Sequence, residues 1–143
     1  MASIYKDIPV DAHPDAVWDA VRDFGAVHRR LAPGFVLDAR LDGEARIVTF
    51  ANGTIARELL VDCDDTSQRL VYAVISERVK HYNASVQVVA DGGAADGEAR
   101  ARLIWVVDLL PNDIAPYIAG QMDQAVLAMQ KAWIAAPRSR HAT

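Results

Sequence analysis

Apolar and polar residues alternate along most of the first 110 positions, and turn residues cut the alternation into strand-sized pieces. Ser3 to Val10 places Ile4, Ile8 and Val10 on one face and stops at Asp11-Ala12-His13-Pro14. From Asp15 to Phe24 the period becomes helical: Val17, Val21 and Phe24 recur three or four residues apart, with Trp18 beside them. That spacing predicts an amphipathic helix ended by Gly25. Pro14 suits its first position, because its fixed φ is helical and its missing N–H would have no partner there. A second short helix, Ala26 to Leu31, is expected before Pro33-Gly34 breaks it.

Six further strands follow. Phe35 to Leu41 alternates Phe35, Leu37, Ala39 and Leu41 against polar neighbours, and Ala45 to Phe50, Thr54 to Cys63, Arg69 to Ser76, Tyr82 to Ala90 and Ala99 to Leu109 complete the set. Asp42-Gly43 and Asn52-Gly53 are hairpin signals of the type I′ kind. Asp91 to Gly97 reads as a Gly- and Ala-rich loop. In the last strand Ala101, Leu103, Trp105 and Val107 face one way, and Arg100 and Arg102 the other. Asn112 is the expected N-cap of one long helix, Asp113 to Ala135, in which Pro116 is tolerated within the first turn. Ile114, Ile118, Met122, Ala125, Met129 and Trp133 mark its apolar stripe.

An antiparallel sheet of seven strands has one apolar face to cover, and only the last helix is long enough to cover it. The expected class is therefore α+β: a strongly twisted sheet curled round the C-terminal helix, with two short helices after the first strand closing one end. One domain, residues 1–136, is expected, with a polar tail at 137–143. A helix laid across a curved sheet fits well in the middle and leaves a gap toward one mouth, which suits a ligand.

Composition narrows the partners. A net charge of −4 argues against nucleic acid, since phosphate binding needs clustered Lys and Arg, and the basic run Arg138 to His141 lies in the tail. No apolar run reaches the roughly 18 residues needed to span a bilayer. Met1 to Asp7 lacks the apolar stretch of a secretory signal, so a cytoplasmic setting is expected. Monomer and homodimer both stay open. The single cysteine, Cys63, reads as a core thiol. His13, His28, His81 and His141 have no metal-ligand spacing, and Gly92-Gly93 sits in a hairpin loop, not before a helix. No metal and no cofactor are expected.

The order of elements, with Val10-Asp11-Ala12-His13-Pro14-Asp15-Ala16-Val17-Trp18, Val21-Arg22-Asp23-Phe24-Gly25, Arg57-Glu58-Leu59-Leu60, Asp64-Asp65, Leu70-Val71-Tyr72, Tyr82 and Trp105, resembles the START-like superfamily. That group includes the birch-pollen-allergen-like proteins, the polyketide cyclase/dehydrase family and the plant abscisic acid receptors. The resemblance covers roughly Ile4 to Trp133 and implies a helix-grip fold that binds an apolar or amphipathic small molecule. Where relatives often carry a Trp-Pro-like pair, this chain has His28-Arg29-Arg30-Leu31-Ala32-Pro33, so the entrance is shaped differently.

Glu58 is the candidate catalytic residue. Parity puts Ala56, Glu58 and Leu60 on one face, and Ile55, Arg57, Leu59 and Val61 on the other. Parity alone favours burying the second set. The resemblance implies the reverse, with Glu58 in the cavity, where desolvation disfavours a carboxylate unless a cation compensates. Lys6 shares a face with Ile4 and Ile8; it either faces Glu58 or snorkels its charge outward. Tyr72 and Tyr82, with Val74, Ala84 and Val86, fall on the faces expected to line the cavity. Trp105, Ile118, Met122 and Met129 complete the expected ligand-binding set, although Trp105, Met122, Met129 and Trp133 read as core residues before contact residues. Gly120 makes room for a ligand or permits close packing. His28 near the mouth is an exposed loop residue or an acid–base group. Three functions follow: a binder of a small hydrophobic molecule, a cyclase or dehydratase working through Glu58, or a protein-partner module with a collapsed cavity.

Overall fold

The computed structural model of the chain describes residues 2–91 and 100–141, with side chains of the last helix described as far as Trp133. The strands are β1 (Ala2–Val10), β2 (Val36–Asp42), β3 (Ala45–Phe50), β4 (Ile55–Asp64), β5 (Arg69–Ile75), β6 (His81–Asp91) and β7 (Arg100–Leu110). They form one antiparallel sheet in the order β1-β7-β6-β5-β4-β3-β2. Between β1 and β2 lie α1 (Pro14–Arg22), a 3₁₀ turn (Phe24–Ala26) and α2 (Val27–Arg30); after β7 comes a 3₁₀ turn (Asn112–Ile114) and then α3 (Ala115–His141). The expected α+β architecture is the one observed.

Local chemistry sets the elements. His13 Nδ1 accepts the Asp15 N–H at 3.1 Å, capping a helix that Pro14 opens. Trp18 Nε1 and Arg22 Nε both donate to Asp65 Oδ1 at 2.9 Å, which docks α1 on the turn after β4. The core lies between the concave face of the sheet and the helices. Ile8, Leu70, Leu103, Val107, Leu109 and Met122 are all but inaccessible there. Truncating one such Leu to Ala costs about 2–5 kcal/mol.

Four local expectations are corrected. In β2 the register shifts between Val36 and Asp38, so Val36 and Ala39 are buried while Leu37 and Leu41 are exposed; the bulge breaks the period-two reading. Cys63 is exposed, not core: β4 also shifts register between Leu60 and Asp62, which breaks the period-two reading, and its last four residues, Val61 to Asp64, are all exposed. Neither hairpin turn is type I′. Between β2 and β3 the two loop residues are Gly43 and Glu44, and only Gly43 has positive φ (62°), the II′ pattern. The β3–β4 loop spans Ala51 to Thr54, with Gly53 at φ 88° and the Asn52 side-chain Oδ1 accepting the Thr54 N–H at 2.9 Å. Asn112 belongs to the 3₁₀ turn ahead of α3, and the helix runs on to His141, past Ala135. Gly92 and Gly93, and the side chains of Arg138 to His141, lie outside the described residues.

Among the described residues no helix is long and apolar enough to cross a membrane, and no cluster of three His, Cys, Asp or Glu side chains is arranged to hold a metal.

Candidate functional site

α3 is fastened toward the β1 edge of the sheet. Lys6 Nζ meets Asp123 Oδ1 at 2.7 Å, and Gln130 Nε2 donates to the Pro9 carbonyl at 3.3 Å. Over the strands further from that edge the helix stands off, and a chamber of about 810 Å³ opens between Ile118 and Met122 of α3 and Ala56, Val74 and Tyr82 of the sheet. Its rim carries Ile55, Ile75, Val79 and Arg78, and one hydrogen bond crosses it: Asn52 Nδ2 donates to the Tyr117 hydroxyl at 3.2 Å, joining the β3–β4 loop to α3.

The charged feature of the interior is a pair. Arg46 on β3 and Glu58 on β4 are directly opposed in register and face the core, with side chains 7% and 8% exposed. Arg46 Nε donates to Glu58 Oε1 at 2.7 Å, and Arg46 Nη1 to the Phe24 carbonyl at 3.2 Å. The guanidinium carbon lies 4.1 Å from the Phe24 ring centre and 5.1 Å from that of Tyr72, so the cation is held between two aromatic faces. The pair gives each buried charge its counter-ion, without which either would be expensive to bury. Among the described residues the carboxylate takes one hydrogen bond, on Oε1.

Glu58, Tyr72 and Trp105, with Phe35 and Phe50, border both this chamber and a smaller void of about 60 Å³ behind it. Arg46 borders only the smaller void. Seen from the large chamber, Glu58 stands in front of its cation. Burial pushes the Tyr72 phenol above its ordinary value of 10, helped by the Glu58 charge, and pushes Tyr82 well above it too, so both remain hydroxyls at any ordinary pH. The Trp105 indole N–H has no partner in hydrogen-bond geometry, although it lies close enough to the Tyr72 hydroxyl to oppose that rise.

Of the residues singled out from sequence, Ala56, Glu58, Tyr72, Val74, Tyr82, Trp105, Ile118 and Met122 border the large chamber. Val86 and Met129 border only the small one; Leu60 and Ala84 border neither, and Ala84 is wholly buried beneath. Glu58 faces inward, against the parity of its strand, while Ile55 and Val61 are 66% and 56% exposed. Lys6 is not its partner. β1 and β4 are four places apart in the sheet, roughly 19 Å at about 4.8 Å per strand, and Lys6 turns to Asp123 instead. Gly120 neither makes room for a ligand nor permits close packing: it is exposed, and a Cβ there would meet nothing within 4 Å. His28 is half-buried, with an unpartnered Nδ1.

Arg46 was not among the residues expected in the site. The hairpin signal alone would not have found it: a two-residue Asn52-Gly53 loop sets Arg46 opposite Leu59, and only the longer loop observed, with its register centred on Asn52, sets Arg46 opposite Glu58.

Residues 1–133 match the family model described as polyketide cyclase / dehydrase and lipid transport. Among solved structures, the XoxI protein of Bacillus cereus superimposes with a TM-score of 0.79 at 19% identity, covering 94% of this chain and 97% of that one. A protein from Thermobifida fusca gives 0.71 at 24% identity, over 98% and 95% of the two chains. Norcoclaurine synthase from Thalictrum flavum gives 0.69 at 18%, over 94% and 87%. These likenesses show the helix-grip fold. Among curated proteins none matches the chain at a significant level.

Proposed function

Since the chain belongs to the polyketide cyclase/dehydrase and lipid transport family, we propose that it binds one small apolar or amphipathic molecule in the larger chamber. The observation that carries this reading is the chamber itself: about 810 Å³ between sheet and helix, with mostly apolar walls and, among the described residues, one buried ion pair at its inner end. Ligand sites are typically roughly 300–1,000 Å³, mostly apolar, with a few convergent polar groups. Ile118, Met122, Val74 and the aromatic rings supply contact area, and Met122 adapts its shape to the occupant. Glu58, Tyr72 and Tyr82 orient the ligand's polar end. A partner-binding module with a collapsed interior would have no use for this volume.

The test is native mass spectrometry of gently purified protein, followed by denaturing extraction. A stoichiometric apolar compound, or saturable one-to-one uptake of a hydrophobic fluorescent probe, is the expected result. Protein that arrives empty and takes up no probe overturns the reading. Chemical conversion of a bound compound that stops in Glu58→Gln would instead assign Glu58 a proton-transfer role.

A further inference from the structure

The order of the two charges at the inner end of the chamber identifies the head group the ligand brings there. Glu58 borders the large chamber and Arg46 does not, so an entering molecule meets the carboxylate first and the guanidinium only through it. Oε1 is engaged by Arg46, whereas Oε2 takes no hydrogen bond from any described residue. A hydrogen-bond donor is therefore what the site accepts. Charge then narrows the class. The Arg46–Glu58 pair is already neutral and buried, so an incoming ammonium would add an uncompensated charge, and an incoming carboxylate would face Glu58 at contact distance. A neutral hydroxyl adds no charge and completes Oε2. The Tyr72 and Tyr82 side chains border the same chamber as Glu58, and their phenols, held protonated, can donate to the hydroxyl oxygen.

Building on the cavity reading, we infer that the ligand is a neutral hydroxyl compound that enters hydroxyl first and donates to Glu58 Oε2. The rings of Phe35, Phe50, Tyr72, Tyr82, Trp105 and Tyr117 border the same chamber and suit a flat aromatic body behind that hydroxyl.

Four probes of matched shape separate the possibilities by calorimetric titration at neutral pH: para-hexylphenol, its methyl ether, para-hexylbenzoate and para-hexylbenzylamine. The phenol should bind tightest, with the ether weaker by about tenfold or more, the factor expected for a hydrogen bond to a charged acceptor. In the double variant Arg46→Met, Glu58→Met, with its fold checked by circular dichroism, the phenol–ether gap should close to within about threefold. Equal binding of all four probes by the parent protein overturns the head-group inference and leaves the cavity reading standing. Tightest binding of the benzoate or the benzylamine overturns it as well, and so does a gap that survives in a folded double variant. Failure of all four to bind removes the cavity reading and this inference with it.

Discussion

Replacing Arg46 with Met tests whether the buried pair is organised as described. Met fills much of the same space, so the change removes charge more than volume. It leaves the Glu58 carboxylate, 8% exposed, without its cation. Breaking a buried ion pair from one side costs about 3–5 kcal/mol. Loss of the cation between Phe24 and Tyr72 adds about 0.5–2 kcal/mol, of which a thioether on the same rings returns part, about 0.3–1.5 kcal/mol. The expected total is about 3–6 kcal/mol, against about 5–15 kcal/mol for a whole domain. Removing both charges, in Arg46→Met/Glu58→Leu, should be near neutral or even gain about 1–4 kcal/mol, because neither charge is then left alone. Urea unfolding of the parent, both single variants and the double variant closes the cycle. A single-variant loss below about 1 kcal/mol with an unchanged urea slope would refute the reasoning, since it would mean Glu58 finds water or another partner where the structure shows protein.

Gly120→Ala should stabilise the fold by about 1 kcal/mol, because an exposed interior helix position gains a better helix former and meets no neighbour; urea midpoints measure it. Asp65 is held below its ordinary 3.8 first by the hydrogen bond from Trp18 Nε1 and then by Arg22. Its contribution is thus present above the unfolded carboxyl value and lost as pH falls through the folded one. Asp65→Asn should lower the urea midpoint at neutral pH, and the difference from the parent should vanish in strong acid. Tyr72 and Tyr82 run the other way: with phenols raised above 10 by burial, they favour the fold below that value and lose their contribution as pH climbs through the folded one. Ultraviolet titration should show two phenols ionising only together with unfolding. Although Cys63 is exposed, partial desolvation and then the charge of Asp65, with Asp62 and Asp64, raise its thiol above the ordinary 9.0, so disulfide reagents should label it more slowly than a free thiol at mildly alkaline pH.

The strands of this fold are written plainly in the sequence because each alternates against a turn. β6 and β7 follow their pattern residue for residue, with Ala84, Val86 and Val88 buried opposite Leu103, Trp105 and Val107. The site is written less plainly. β4 carries its apolar residues Ile55 and Val61 on the convex face near its ends, and its one buried charge on the concave face. A periodicity argument rewards apolar residues and so chooses the wrong face. Only the likeness of the Arg57-Glu58-Leu59-Leu60 stretch to a known motif pointed Glu58 inward. Its partner was missed because a basic residue on a strand reads as solvated, and the register that opposes Arg46 to Glu58 depends on a loop longer than the two residues of an Asn-Gly turn. The bulges in β2 and β4 were illegible, because an extra residue in one strand is set by its neighbour and not by its own pattern.

The hydrogen bond between Asn52 and Tyr117 at the chamber's rim has a kinetic consequence. It is the only one between the β3–β4 loop and α3 among the described residues, it joins two neutral groups, and both are exposed. Such a bond contributes about 0.5–1.5 kcal/mol net, too little to hold a door shut. The time an occupant stays is then governed by how much of its own surface must return to water. Each buried methylene is worth about 0.8 kcal/mol, so residence times along a series of homologous chains should lengthen about fourfold per carbon until the chamber is full.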